Sequence, residues 1–555
     1  MNNTQKYTLY ILGAVLLWLL VLLFTYNPFM TGRGDEPLYL VSLLFPLFNL
    51  LIVGMVFLGY FVGKNKQPSW FHLLFLYIFA LMLFVTPHLM TDFTREPDSV
   101  WHTGISDNVI GILGGDDYQF SWYAESYPVS FVLNKLGLTV TDASVPVYAN
   151  YIFPFFYMLL FVGLLYLIFR KLSGNQVAFF SLLLAFPVLH YLKVYPAPQT
   201  IGTIFALAAI YFIIDYERLS SALIALVLLI VSFFAHPILP LFPVLLFISL
   251  VIARAYRRKK FGTVEIAAFS VMAFGGFMWL MVSLFSSRGV GAGLLDRISS
   301  ALSFEFTKGF EVINEYLLGA AFLYQEIFVL NKIVYLVCVL FLLGILYYLK
   351  YHTKYKFDEI LLGNLTFCFL IMLSTLGVVI LSGTQVLIER GLTFIMLFIS
   401  FLIVYSLSQV KKKNVEHNLS LGFVVGLIVI ASVFPLMAYS MEDYNNFPSS
   451  ELEGMKFLEN DLDINNKSLF LSMPAQMAML IDEGVEFSNY PTVVDPEETQ
   501  LDIFAFRDTG YYYIALRLEA DLEDNSFVEA RETIEELENY NKVYENKNFE
   551  VFLKR

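Results

Sequence analysis

Thr91-Asp92-Phe93-Thr94-Arg95-Glu96-Pro97-Asp98-Ser99-Val100-Trp101-His102 lies at the head of a 63-residue polar interruption, Pro87 to Ala149, in a chain whose other connections before Ser286 are only a few residues long. A long apolar run precedes it, so carboxylates, a base and an imidazole stand where a membrane span would meet water. Loops carry function when a rigid scaffold positions them. A transporter has little use for such an insert, whereas an enzyme working at the membrane surface needs one.

The apolar runs around the insert set the fold class. With 58% hydrophobic and 15% charged residues over 555 positions, the chain is more apolar than ordinary soluble domains. Its apolar stretches reach bilayer-crossing length near residues 10–27, 38–62, 70–88, 149–169, 176–192, 199–215, 219–235, 238–254, 263–286, 330–349, 358–381, 391–408 and 418–438. The first, Tyr10 to Tyr26, follows Lys6 without a small-residue cleavage site and reads as a retained helix. With the amino terminus cytoplasmic, alternate connections hold the bases: Lys64 and Lys66, Arg170 and Lys171, Arg218, Arg254 to Lys260, Lys350 to Lys356, and Lys411 to Lys413. That is the asymmetry of the positive-inside rule. The two cysteines, Cys338 and Cys368, fall within apolar runs and form neither a disulfide framework nor a metal-ligand spacing.

Net charge separates the chain into two kinds of protein. Residues 440–555 carry 26 acids and 9 bases, or −17 of the total −13, which leaves +4 for the rest. The expected architecture is an α-helical polytopic membrane protein of about 13 transmembrane helices over 1–439, followed by a small extracytoplasmic α/β domain over 440–555. It would lie in the cell membrane as a multi-pass protein. The odd number of spans puts the tail and the loops 87–149 and 287–329 on one outer face. In the first loop, Glu125 to Gly137 spaces its apolar residues by three and four before a glycine stop, the pattern of an interfacial amphipathic helix. Leu294 to Leu318 in the second loop mixes Leu, Ile and Phe with charges and suits a lid on the membrane. The tail offers a serine-capped helix start at Ser449-Ser450, short apolar segments at Ser468–Met473 and Met477–Ile481, and an acidic helix from Ser526 to Asn539. The flanks of Asn546 to Asn548 alternate like a hairpin.

Asp98 and Asp92 are the leading candidates for acid–base chemistry. A carboxylate at the exit of a span is partly desolvated yet reachable by a polar substrate, so its pKa can be tuned for base work. The plain alternative is a solvated loop acid. Asp98, Trp101 and His102 are three and four residues apart, which on a helix combines a carboxylate, a sugar-stacking ring and an imidazole on one face. Arg390, at the outer start of the twelfth run beside Glu389, can hold a phosphate through two parallel hydrogen bonds, or can anchor in headgroups and pair with Glu389. His236 and the segment Tyr195 to Thr200 face the same side as turn or site residues, and Asp35-Glu36 form an acidic pair in the first outer loop. Asp116-Asp117 follows Gly114-Gly115 and reads as a turn at least as well as a metal pair. Asn466-Lys467-Ser468 is a glycosylation acceptor pattern, consistent with an outer tail.

With these pieces placed, the chain resembles the C-superfamily of integral-membrane glycosyltransferases, whose members draw on lipid-linked sugars. An acid stands just outside an early span. Tyr127-Pro128-Val129-Ser130-Phe131-Val132-Leu133 is similar to the family's Tyr-Pro-Pro-Leu-x-Tyr-Leu surface helix, and Asp98-Ser99-Val100-Trp101-His102 resembles an Asp-x-x-x-His variant. Val543 to Phe552 looks like the closing Val-Tyr-Asp-Asn-Gly segment of many prokaryotic members. The acidic loop follows the third run here and not the first, which leaves Asp98, Asp92 and Asp35 as alternatives for the acid. The Trp-Trp-Asp-Tyr-Gly motif of oligosaccharyltransferases is absent from the sequence, which favours transfer of a single sugar over an oligosaccharyltransferase-like reaction.

The resemblance implies an inverting transfer from a polyprenyl-phosphate-linked sugar donor to an extracytoplasmic glycan, lipid or protein acceptor. Asp98 or Asp92 would act as base, with Arg390 and His102 on the departing phosphate and Trp101, Tyr127, His236 and Glu389 lining the site. It implies membrane lipid as a partner, with no cofactor, metal or nucleic acid. A flippase or export channel for lipid-linked glycans is the alternative, but it would carry charges along a route inside the spans. Topology is testable first. In a cysteine-free background, an impermeant thiol reagent should label Gly115→Cys and Ser450→Cys in intact cells; labelling of either only after permeabilisation would place that segment inside.

Overall fold

The computed structural model describes residues 3–25, 45–64, 68–89, 97–114, 121–189, 192–258, 325–382, 386–410, 413–439, 468–471, 486–487, 503–507, 540–546 and 549–554. Up to residue 439 the described chain is helical: α1 (Asn3–Thr25), α2 (Phe45–Lys64), α3 (Ser69–Leu89), α4 (Pro97–Gly114), α5 (Ser121–Ser126), α6 (Pro128–Thr141), α7 (Tyr148–Ser173), α8 (Asn175–Val188), α9 (Pro198–Ile213), α10 (Leu219–Ala235), α11 (Leu241–Arg258), α12 (Gln325–His352), α13 (Glu359–Ser382), α14 (Val386–Ser408) and α15 (Lys413–Tyr439). Every expected span coincides with one of these helices except 263–286, which lies outside the described residues. Five apolar stretches are long enough to cross a membrane: Ser69–Leu89, Tyr148–Ser173, Leu330–His352, Glu359–Leu376 and Arg390–Ser408. Six further apolar helices are shorter. The protein is therefore an α-helical membrane protein by length and composition.

Some helices keep a wholly apolar face outward. α12 buries Val334, Cys338, Leu342, Ile345 and Leu349, and exposes Ile333, Leu336, Val337, Leu340 and Leu343 on its other side. A helix that is apolar all round with one face outward is at home in hydrocarbon, where its backbone bonds are satisfied internally. At one end of the helix array, polar groups lock the connections. Lys171 pairs with Asp215 at 2.7 Å, Arg254 bonds Glu217 at 3.1 Å and also Glu359, and the Tyr355 and Tyr405 hydroxyls donate to Asp358 at 2.5 and 2.6 Å.

Both roots of the polar insert are widened helical turns. Leu81–Val85 in α3 and Tyr148–Ile152 in α7 are π-helical, and each is followed within two residues by a proline, Pro87 or Pro154. Proline has no N–H to donate and its ring crowds the carbonyl four residues back, so a turn closed over five residues relieves the clash. Thr86 secures the first of these: its Oγ1 accepts from Trp18 Nε1 at 3.0 Å and donates to the Leu81 carbonyl at 3.3 Å.

The insert itself is helical where described. α6 buries Ser130, Phe131, Asn134 and Leu138, while Val132, Leu133, Leu136 and Val140 are exposed on the opposite face. An outward apolar face on a helix at the rim of the bundle fits the expected interfacial helix. Gly137 is not its stop, as the sequence had indicated. The helix runs on to Thr141 and ends where Asp142 turns left-handed at φ 51°. Gly137 instead makes room for the Tyr148 hydroxyl, which sits 3.3 Å from Asn134 Oδ1 and donates to it.

The tail contributes strands among the described residues: β1 (Ser468–Leu471), β2 (Glu486–Phe487), β3 (Ile503–Arg507), β4 (Tyr540–Asn546) and β5 (Phe549–Lys554), in the order β2-β1-β3-β5-β4. β1 runs parallel to β2 and β3, while β5 is antiparallel to β3 and β4. The β4–β5 pair is the hairpin expected around Asn546–Asn548. The expected tail helices, the 287–324 segment, Asp35-Glu36 and Asp116-Asp117 lie outside the described residues.

A Cβ at Gly137 would overlap the Tyr148 ring, whereas one at Gly163 in α7 meets nothing within 4 Å. Gly137→Ala should therefore destabilise by about 1–3 kcal/mol, more than helix propensity returns. Gly163→Ala should be neutral or stabilising. Thermal midpoints in detergent compare the two, and equal midpoints would remove the Gly137–Tyr148 contact as a constraint.

Candidate functional site

Four of the residues singled out in the sequence converge at one mouth of the helix array. His102, on α4, is buried, and its ring stacks on Tyr195 with centroids 6.2 Å apart and planes 14° apart; Phe131 of α6 lies at 6.2 Å. Tyr127, just ahead of α6, stacks on His236 at 5.6 Å and 19°. Arg390, in the first turns of α14, donates from Nε to the Gln199 side-chain oxygen at 3.0 Å. Asp98 and Trp101 occupy α4 with His102, at positions that share one helical face. Glu389 precedes Arg390 in α14. Asp92 lies outside the described residues.

A buried hydroxyl helps hold the insert over this mouth. Ser130 Oγ on α6 shares its proton between the Ala235 carbonyl at 3.0 Å and the Pro198 carbonyl at 3.4 Å. Those are the last residue of α10 and the first of α9, so a single side chain ties the insert to both helix ends. The two helices approach closely because Gly202 leaves room for His236 and Leu239, and Ser232 Oγ donates to the Gly202 carbonyl at 3.2 Å.

Beside Arg390 lies a small open cleft with about 20 Å³ of room for water-sized groups. Lys193, Gln199, Thr200, Thr203, Arg390 and Thr393 line its polar side, while Tyr157, Phe161, Leu239, Phe394 and Leu397 form an apolar wall. Gln199, Thr200 and Thr203 belong to the first turns of α9, whose N-terminal amides favour negative charge. The Thr200 hydroxyl is buried and has no hydrogen-bond partner among the described residues. Lys193 donates to the Tyr195 hydroxyl at 3.2 Å and lies 5.5 Å from its ring centroid. Tyr195 therefore links the cleft to His102. Two cations, a helix N-terminus and a hydroxyl suit an anion, and the wall suits a hydrocarbon attached to it.

The electrostatics at the mouth run the same way. Burial, then the nearby Arg390 and His102, hold the His236 imidazole well below its ordinary pKa, against a smaller pull from its own backbone. Positive charge is thus disfavoured on His236. Among the described residues, no group of three His, Cys, Asp or Glu side chains is arranged to hold a metal ion.

Sequence reasoning had passed over Lys193 and Ser130 as site groups, whereas Thr200 closes the Tyr195–Thr200 segment already read as turn or site residues. Lys193 did leave a signal, because it is a base in a connection expected to be acidic or neutral. Ser130 left none, since a serine in an amphipathic helix is ordinary. In comparison with known proteins, the chain matches no family model and no curated sequence.

Proposed function

We propose that the protein is a membrane glycosyltransferase that moves a single sugar from a polyprenyl-phosphate carrier to an acceptor hydroxyl at the outer membrane surface, with inversion. The observation that carries this reading is the cleft, in which Arg390 and Lys193 stand over an apolar wall at the N-terminus of α9. A phosphate esterified to a long isoprenoid needs both features in one place. In this reading the chain has thirteen spans with the amino terminus cytoplasmic, and the tail is an extracytoplasmic α/β domain.

In the reaction, Asp98 takes the proton of the acceptor hydroxyl, and that oxygen attacks the anomeric carbon from the face opposite the carrier. The bond from that carbon to the phosphate oxygen breaks, and the phosphate leaves with the electron pair. Arg390 and Lys193 stabilise the charge that develops on it. Trp101 supplies a face for the sugar, and His102 holds Tyr195 and through it Lys193 at the cleft. Asp92 is the alternative base.

The test separates binding from chemistry. Asp98→Asn should retain carrier affinity and lose about 10² to 10⁴ in transfer rate, as is typical for a general base, with Asp92→Asn close to wild type. Arg390→Lys keeps the charge but loses the planar fork, so carrier affinity should fall by about 1.5 to 3 kcal/mol, and Arg390→Gln should do no better. Full turnover in Asp98→Asn with none in Asp92→Asn would move the base by six residues. Unchanged carrier affinity in both Arg390 variants would remove the phosphate site.

A further inference from the structure

A threonine inside an apolar helix commonly satisfies its hydroxyl at the carbonyl four residues back, and Thr203 of α9 does so, donating to the Gln199 carbonyl at 2.8 Å. Thr200 does not. It stands in the first turn of α9, two residues after Pro198, so the carbonyl four residues back belongs to Pro196 and lies outside the helix. Thr200 is only 2% exposed, and its Oγ1 has no hydrogen-bond partner among the described residues. A buried donor without an acceptor is costly, unless a ligand supplies the acceptor. The turn around it is built of donors. No side chain caps α9. The Thr200 and Ile201 N–H groups both bond the Ala197 carbonyl, at 3.0 and 3.2 Å, while the Gln199 N–H has no backbone acceptor among the described residues. Thr200 and Gln199 both line the cleft, whose charged lining residues are the cations Lys193 and Arg390, with no carboxylate. Its 20 Å³ of room takes one oxygen-sized group, since ~10–15 Å³ is enough for a water.

We infer that the Thr200 hydroxyl is a phosphate contact, donating to one non-bridging oxygen of a phosphate group seated at the N-terminus of α9, with the rest of that group on the open side of the cleft. The inference rests on the lipid-phosphate reading and adds to it a neutral, buried donor. A water would satisfy the hydroxyl as well, but water gains little from two cations and a helix N-terminus, whereas an oxyanion gains from both. Fold and ligand therefore make opposite demands on this position. Removing the hydroxyl relieves the empty protein of an unsatisfied group and deprives the occupied one of a hydrogen bond. Inorganic phosphate presents the same oxygen as a lipid phosphate, and the two are separated by experiment.

The experiment uses the full-length protein in lipid nanodiscs and measures affinity for polyprenyl phosphate, for neutral polyprenol and for inorganic phosphate. Thr200→Val keeps the shape and removes the hydroxyl. It should lose about tenfold for polyprenyl phosphate, the lower end for a hydrogen bond to a charged group, and nothing for polyprenol. Thr200→Ser keeps the hydroxyl and should stay within about threefold of wild type. The thermal midpoint of ligand-free Thr200→Val should equal or exceed that of wild type, which a hydroxyl serving only the fold would move the other way. Wild-type affinity of Thr200→Val for both phosphates overturns the inference, as does a loss in Thr200→Ser as large as in Thr200→Val, or an equal loss for polyprenol. A Val variant that is less stable than wild type, or that does not fold, also overturns it, because the hydroxyl would then belong to the fold. Inorganic phosphate that binds wild type and weakens in Thr200→Val, with no binding of polyprenyl phosphate, would sink the lipid-phosphate reading and leave the Thr200 contact standing, so the two failures are distinct.

Discussion

The buried hydroxyl of Ser130 is what makes the mouth a single place. By donating to the last carbonyl of α10 and reaching the first of α9, it docks α6 across both helix ends and gives the Ala235 carbonyl, at a helix C-terminus, a partner. With α6 fixed, Tyr127 falls against His236, and Phe131 falls against His102. The Lys135–Asp107 pair, 2.7 Å long and exposed, then ties α6 to α4 at the surface, where it contributes little energy but sets direction. The convergence of four elements follows from one short side chain and from the close approach that Gly202 allows.

The two ends of the helix array use charge differently. At one end, Lys171, Arg254 and Asp358 are each paired with an opposite charge or with tyrosine hydroxyls, and the arrangement serves to fasten connections. At the other end, Arg390 bonds the neutral Gln199 and Lys193 rests on the neutral Tyr195. Gln199 and Tyr195 orient the two cations at the cleft.

Much of this was legible in the sequence. Apolar runs located the helices, including the short, proline-interrupted ones from 176 to 254, because hydrophobic length is a direct consequence of what hydrocarbon tolerates. Position at a helix mouth singled out His102, Tyr127, His236 and Arg390, which the fold places near one another. The widened turns at Leu81–Val85 and Tyr148–Ile152 were not anticipated, although Pro87 and Pro154 were there to announce them. The end of α6 was misplaced by four residues because Gly137 was read for its backbone freedom, when its missing side chain is what matters. Lys193 was missed for a different reason: a periodicity argument treats a lone base between spans as a boundary marker and takes no account of what lies across from it.

A carrier placed in the cleft would leave a chemical record. Full-length protein in nanodiscs, irradiated with a polyprenyl phosphate bearing a photoreactive group on its first isoprene unit and mapped by mass spectrometry, should form adducts on the wall around Tyr157, Phe161, Phe394 and Leu397, and excess unlabelled carrier should abolish them. Adducts confined to lipid-facing surfaces such as the outer face of α12, or adducts in the cleft that competitor leaves undiminished, would mean that the space beside Arg390 and Lys193 does not hold a lipid phosphate.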